Sequence, residues 1–524
     1  MRHVIAAVAL ALAVSPPAVA QEPPPTPSPS PSGAPRALAS AAPRGSSAFA
    51  AGAAERPIVT HHRIRLAGRE VAYAATAGIA SVRGADGKPT TTMSYIMYAR
   101  EGADTGDRRP VSFIYNGGPG SSTIWLHMGA FGPRRVVTAN GSPTPPAPYR
   151  LADNENTLLD VSDLVFVDAP GTGFGRALDP KAVFGVDQDA QTFASFIQGF
   201  VTTFNRWNSP KFLIGESYGT TRSANVVNVL AQRGIACSGV VLISTALDYA
   251  TFVAGPGNDL PYILFLPTMT AVAAYHHALP QSPANLDALL AEVRRFAETD
   301  YAAALLQGDR LDAASRARMV ARLHGYTGLP AQYIDLANLR VGPGAFEKEL
   351  LRPQRRTIGR LDGRFLGIDR DPLGEAPEYD PTETSMTGAY VATFESYSRN
   401  DLDWRPVDPY RPNDYAETGR NWDFRRTAGF GGRILAPSVI ADLAQAMTQN
   451  PALHVFAANG LYDLATPFMG TEYTLSHMLL DRSLLSHVQY GYYPSGHMIY
   501  VDPPSHARLT ADLRRFITEA GGQR

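Results

Sequence analysis

The stretch from residue 192 to residue 244 constrains the fold more than any other. An apolar run, Phe212-Leu213-Ile214, leads directly into Gly215-Glu216-Ser217-Tyr218-Gly219. Upstream, Phe193, Phe196, Ile197, Phe200 and Phe204 recur at helical spacing and predict a helix over 192–207, which Asn208-Ser209-Pro210 ends. Downstream, 221–233 reads as a second helix closed by Gly234, and 239–244 as a short buried strand. Apolar strands alternating with helices require a mostly parallel sheet, because parallel neighbours are joined only by crossovers. At the turn between such a strand and helix, G-x-S-x-G holds its serine exposed above the sheet, and the glycines remove bulk where the two elements nearly touch. Ser217 is thus a candidate nucleophile that needs partners elsewhere in the chain.

The chain has 524 residues, 44% of them hydrophobic, which is enough for one large domain with an insertion or for two domains. Its formal net charge of −1 offers no general attraction to nucleic acid or anionic lipid, so neither is an expected partner. Met1-Arg2-His3, the apolar run 4–14 and the small residues Ala18-Val19-Ala20 read as an export signal cleaved near Ala20. The run is too short for a membrane span and Pro16-Pro17 interrupts it. No cysteine follows the cleavage site to accept a lipid, so the expected product is soluble and either periplasmic or secreted. From 21 to 54 the chain is Pro, Ser, Ala and Gly and buries too little to order itself. Cys237 is the single cysteine, which excludes an intrachain disulfide, and its place before a buried strand makes it a core residue.

A second glycine loop follows another apolar strand. The segment 111–115 runs into Asn116-Gly117-Gly118-Pro119-Gly120-Ser121-Ser122, whose backbone NH groups suit an oxyanion. A phosphate loop would carry Lys-Ser/Thr or open a helix as G-x-G-x-x-G, and this one does neither. A third glycine cluster, 168–175, reads as packing at the same rim, without chemistry of its own.

An activated serine needs a base and an acid that orients it, each on a loop after a strand. The strand 453–458 opens into Asn459-Gly460-Leu461-Tyr462-Asp463, and the strand 488–493 into Pro494-Ser495-Gly496-His497-Met498. Asp463 and His497 are therefore the candidates for acid and base. The rival base, His506, follows Pro503-Pro504-Ser505 at a helix start, where a solvated or capping role is expected. No His, Asp and Glu set has metal-site spacing, so neither a metal nor a cofactor is expected.

Taken in order from residue 110 to residue 502, these segments resemble the successive motifs of the serine carboxypeptidases, the S10 peptidase family: 116–122, 168–174, Gly215-Glu216-Ser217-Tyr218, 460–463 and Gly496-His497-Met498. The resemblance implies an α/β-hydrolase fold, a mostly parallel sheet flanked by helices with a largely helical cap, and removal of C-terminal residues from peptides. It makes Ser217 the nucleophile, His497 the base and Asp463 its orienting acid, with the NH groups of Gly118 and Tyr218 as the oxyanion hole. It also gives Asn116 and Glu216 to the substrate's terminal carboxylate and sets Met498 beside the leaving-group pocket. Two departures stand out. The family's disulfides are absent, and the second glutamate that shares a proton with the motif glutamate is replaced by Ala130. Without that partner, Glu216 ionises more readily and an activity optimum less acidic than the family's is expected. The missing partner also keeps an esterase or acyltransferase on the same triad in view, with a catalytically silent peptide-binding protein as the third reading. The export signal and the lack of disulfides suggest a bacterial member.

The expected organisation is a signal peptide over 1–20, a disordered linker over 21–54, a first core segment over 55–254, a cap insertion over 255–429 and a second core segment over 430–524. Within the cap, 286–304 and 311–324 read as amphipathic helices, and 372–414, rich in Tyr, Asp and Pro, reads as irregular loop. Tyr390, Phe394, Tyr397 and Trp404 are expected to be cap core.

Overall fold

The computed structural model describes residues 56–102, 108–427, 433–434 and 437–522. The expected signal peptide (1–20) and linker (21–54) lie outside the described residues. Among the described residues the main sheet has ten strands. It opens with an antiparallel meander, β1 (Ile58–Leu66), β2 (Arg69–Arg83) and β3 (Pro89–Arg100). Six further strands follow: β4 (Val111–Tyr115), β5 (Asp163–Val167), β6 (Lys211–Glu216), β7 (Gly239–Ile243), β8 (His454–Gly460) and β9 (Val488–Tyr493). Their spatial order is β1-β2-β3-β5-β4-β6-β7-β8-β9, and the short Arg176–Ala177 strand pairs with β3. Every neighbouring pair from β5 to β9 is parallel, while β3 meets β5 antiparallel.

The inner parallel strands are covered on both faces and largely apolar, whereas the edge strand β9 is only partly buried. Ile114, Phe166, Ile214, Val241 and Phe456 face one layer, and Phe113, Val165, Leu213, Val240 and Val455 face the other. The helices α1 (Val186–Thr203) and α2 (Tyr218–Gln232) pack in the second layer. Between β7 and β8 lie α3 (Leu260–Tyr275), α4 (Leu286–Phe296), α5 (Ala313–Thr327) and α6 (Pro381–Asn400). The helix α7 (Pro503–Ala520) covers the first layer with Leu509, Leu513, Phe516 and Ile517. The sheet and its flanking helices form the α/β-hydrolase fold expected from the motifs.

Three elements differ from their sequence-based expectations. α1 starts at Val186 rather than at 192, since Asp187 and Asp189 in its first turn complement the helix dipole. The predicted helix 286–304 is interrupted: α4 ends at Phe296, a wide π-turn spans Ala297–Tyr301, and a short helix resumes at Ala302. The largest difference is in 372–414, read as loop, where α6 forms a 20-residue helix. Asp380 caps it by accepting from Thr382 N at 2.8 Å, Pro381 fits the first turn, and Met386, Ala389, Tyr390, Thr393, Phe394 and Tyr397 make one buried stripe. Tyr and Pro there mark a helix start and its core face. Tyr390, Phe394, Tyr397 and Trp404 are all buried in the first core layer.

The carboxyl ends of the parallel strands share one edge. The chain leaves β4 toward β5 on one side and leaves β6 toward β7 on the other, so strand order reverses between β4 and β6, which is where an open α/β sheet forms its crevice. At that edge Tyr115 pairs with Gly215, Glu216 with Ile243, and Gly460 with Tyr493.

Candidate active site

Ser217 joins β6 to α2 with φ 59° and ψ −128°, a conformation that a non-glycine residue adopts only when its surroundings impose it. The imposition is visible on both sides. Ser217 N donates to Ile243 O at 2.9 Å, and a Cβ on Gly215 would lie 2.2 Å from Gly219 O. Strand and helix are therefore too close for any side chain at Gly215. Beneath the turn, buried Arg222 donates to Asp189 from Nε at 2.7 Å and to Asn116 O at 2.7 Å, so α2 and the glycine loop are tied together from inside.

The glycine loop approaches the turn so closely that a Cβ on Gly117 would sit 2.3 Å from Tyr218 N and 2.8 Å from Gly219 N. Gly118 follows with φ +104°. Tyr218 is the first residue of α2, and the first NH groups of a helix have no partner inside it. Gly117 thus meets the amino end of α2, with Gly118 next to it on the cleft that Ser217 lines, and the helix dipole favours negative charge there.

Asp463 and His497 come together from the loops after β8 and β9. His497 Nδ1 donates to Asp463 Oδ2 at 2.8 Å. Asp463 has no exposed surface, and its Oδ1 accepts from Ala465 N at 2.8 Å and Thr466 N at 2.9 Å. Thr466 Oγ1 donates to Oδ2 at 2.8 Å and lies 3.3 Å from His497 Nδ1. The histidine backbone is held as well, His497 N donating to Leu361 O at 2.6 Å and Ser244 Oγ to His497 O at 2.7 Å. Burial opposes charge on the ring, but the adjoining Asp463 carboxylate and, farther off, Glu216 hold His497 above its ordinary value.

A cleft of about 290 Å³ opens over these groups, lined by Asn116, Gly118, Glu216, Ser217, His497 and Met498 on the sheet side. Asn116 is oriented by Leu126 N, which donates to its Oδ1 at 3.1 Å, so that its Nδ2 donates to Glu216 Oε1 at 2.6 Å. Glu216 is 4% exposed, and among the described residues its Oε2 has no hydrogen-bond partner. Burial pushes the Glu216 carboxyl up to about 7. The opposite wall comes from the segment between β7 and β8: Arg360, Leu361, Asp380, Glu383 and Tyr415.

Other sequence-based expectations resolve as follows. Ala130 is fully buried among apolar neighbours. His506 is neither solvated nor a cap: it is fully buried, donates from Nε2 to Ala130 O at 2.8 Å, and burial lowers it to about 4. The two prolines that open α7 are exposed as the sequence suggests, but Ser505 and His506 after them turn into the core. Cys237 is buried and free, and burial pushes its thiol up to about 12. Asp168, in the third glycine cluster, accepts from Thr123 N, Ser94 Oγ and Tyr410 OH and pins the rim. Among the described residues no His, Cys, Asp and Glu group could hold a metal, and no helix is long and apolar enough to cross a membrane.

Sequence reasoning missed Thr466, Tyr500 and the wall formed by Arg360, Asp380, Glu383 and Tyr415. Thr466 had a local signal, since a hydroxyl three residues after a loop aspartate commonly bonds back to it. Tyr500, whose hydroxyl lies 3.4 Å from Glu216 Oε1, had none.

Residues 81–235 match the family described as serine carboxypeptidase. Over 126 residues, 24% of this chain, the sequence is 32% identical to the pheromone-processing carboxypeptidase KEX1 of Cryptococcus gattii serotype B, and the match spans 18% of that relative's length. The crystal structure of KEX1(delta)p, a prohormone-processing carboxypeptidase from Saccharomyces cerevisiae, aligns over 86% of this chain and 91% of its own with a TM-score of 0.53. Identity there is 14%, so the likeness is one of fold.

Proposed function

We propose, from the premise that this chain belongs to the serine carboxypeptidase family through its residues 81–235, that it is a serine hydrolase which removes C-terminal residues from peptides through an acyl-enzyme on Ser217. The observation that carries this reading is the single cleft onto which Ser217, His497 and the Asn116–Glu216 pair all open. In the proposed reaction Ser217 Oγ bonds to the carbonyl carbon of the last peptide bond and gives its proton to His497 Nε2. The negative oxygen is met by Gly118 N and Tyr218 N. The C–N bond breaks, His497 returns the proton to the amine, and a free amino acid leaves. Water then attacks the ester with His497 as base.

Asn116 Nδ2 and protonated Glu216 hold the departing terminal carboxylate in this reading, and Met498 packs beside the leaving group. Glu216 Oε2 supports it: among the described residues this buried oxygen of a cleft-lining carboxyl has no partner, a cost that a ligand reaching it would offset. The protein acts after export, in the periplasm or outside the cell, as residues 1–20 suggest.

The pH dependence follows with its sign. Glu216 titrates at about 7 and donates a hydrogen bond only while protonated, so kcat/KM for a blocked dipeptide falls as pH rises through about 7. On the acid side His497 must lose its proton, which its raised value delays. Binding the anionic terminus raises Glu216 further, so kcat falls at a higher pH than kcat/KM. Glu216→Gln keeps a donor and removes the titration, and the alkaline limb should vanish from the acid-substrate profile. An unchanged limb would mean that Glu216 does not touch the carboxylate. If esters are cleaved efficiently and blocked dipeptides not at all, the esterase or acyltransferase reading takes its place.

A further inference from the structure

The wall behind Glu216 lacks the second carboxyl that the resemblance leads one to expect, and what stands there is a phenol. Ala130 is buried in apolar surroundings on a π-turn, Leu126–Phe131, and brings no polar atom from its side chain. A Cβ on the adjacent Gly129 would lie 2.2 Å from Tyr390 OH and 2.7 Å from the Tyr500 ring, so the two tyrosines press directly on that turn. Tyr500 is itself buried, on the short turn Ile499–Val501 just past His497. Its hydroxyl donates to Glu216 Oε1 at 3.4 Å, long for such a bond, and also meets the Asn116 side chain. Asn116 Nδ2, Tyr500 OH and Glu216 Oε1 therefore form a triangle in which Oε1 receives two donors.

An oxygen that accepts from two donors has no room for a proton of its own. The acid proton then belongs on Oε2, the oxygen without a partner among the described residues. We infer that Tyr500 is a positioning residue for carboxylate recognition: from the wall behind Glu216 it holds Oε1 as an acceptor and so directs the proton on Oε2 to the substrate's terminal carboxylate. The inference rests on the carboxypeptidase reading above. It gives a single buried carboxyl the task that two carboxyls perform elsewhere, with a phenol, which stays neutral under working conditions, in the partner's place. Its neutrality is secure because burial and the nearby Glu216 raise Tyr500 well above the usual phenol range.

The other groups facing Glu216 act differently. His497 and Asp463 act through space, one favouring its ionised form and the other its neutral form. Tyr390 and Tyr415 lie close enough for Glu216 to raise their phenols, and no hydrogen bond joins either to Glu216 among the described contacts. Arg360, Asp380 and Glu383 lie on the opposite wall of the cleft.

The test is Tyr500→Phe, which removes one hydroxyl and keeps the ring, assayed on an N-blocked dipeptide and on its C-terminal amide, with fluorophosphonate labelling of Ser217 to confirm a folded site. The ratio of kcat/KM for acid over amide should fall about tenfold, through KM of the acid substrate, the size expected for one hydrogen bond to a charged group. Because the phenol favours ionised Glu216, its loss should also move the alkaline limb of the acid-substrate profile upward, and in a Glu216→Gln background the same change should move no limb. An unaltered ratio and limb in a variant that labels normally would overturn the proposal. So would equal losses on both substrates, the mark of a merely structural residue. If the wild-type protein itself cleaves acid and amide equally, the carboxypeptidase reading has failed and this inference falls with it.

Discussion

Ser217→Ala abolishes covalent labelling by a fluorophosphonate and lowers kcat by about six orders of magnitude, the loss seen when the nucleophile of a serine relay is removed. What remains comes from binding and the oxyanion donors alone. The substitution isolates chemistry from folding. Ser217 makes no side-chain cap bond to α2, and alanine bears the same backbone conformation as serine at φ 59°. The variant should therefore unfold within about 0.5 kcal/mol of the wild type. Another serine hydroxyl on the same cleft is that of Ser121, whose Oγ accepts from Trp125 Nε1 at 3.1 Å. Labelling that persists in Ser217→Ala, or that maps to Ser121, contradicts the assignment.

Asp463→Asn is expected to lower kcat by about four orders of magnitude at neutral pH with little change in KM. The carboxamide oxygen can keep the Oδ1 bonds to Ala465 N and Thr466 N, and its NH2 then occupies the place of Oδ2, opposite His497 Nδ1. Two donors cannot face each other, so Nδ1 becomes the acceptor and the ring proton moves to Nε2, the nitrogen that must receive the Ser217 proton. The pH profile carries a second signature. Asp463 is the main group holding His497 above its ordinary value, so in the variant the remaining activity should set in at lower pH. A loss smaller than about tenfold would mean that another group orients His497. Thr466, which lies 3.3 Å from Nδ1, is the neighbour to examine.

The parallel strands were legible because burial on both faces leaves no alternation, only short apolar runs that end in glycine. Expected strands at 111–115 and 488–493 coincide with β4 and with the partly exposed edge strand β9. The residues at their carboxyl ends were legible for a related reason: a nucleophile turn, a glycine loop and loops bearing Asp and His each need local residues of a particular kind. α6 was hidden because its tyrosines, threonines and serines carry little hydropathy, although they bury a full helical stripe. Tyr500 and Glu216 are 284 residues apart, and no local pattern announces a contact set by how α7 and its preceding turn pack beneath the glycine loop. The wall of Arg360, Asp380, Glu383 and Tyr415 depends in the same way on how the segment between β7 and β8 folds back over the sheet edge. The chemistry is thus written in short motifs, and the selectivity in contacts between distant ones.

The claim that Asn116 and Glu216 read a free C-terminal carboxylate is tested most directly by measuring kcat/KM for an N-blocked dipeptide and for its C-terminal amide below the titration of Glu216, at about pH 6. The expected result is a preference for the free acid of at least about tenfold that declines as Glu216 ionises. Equal cleavage of acid and amide by a protein whose Ser217 labels normally would contradict it.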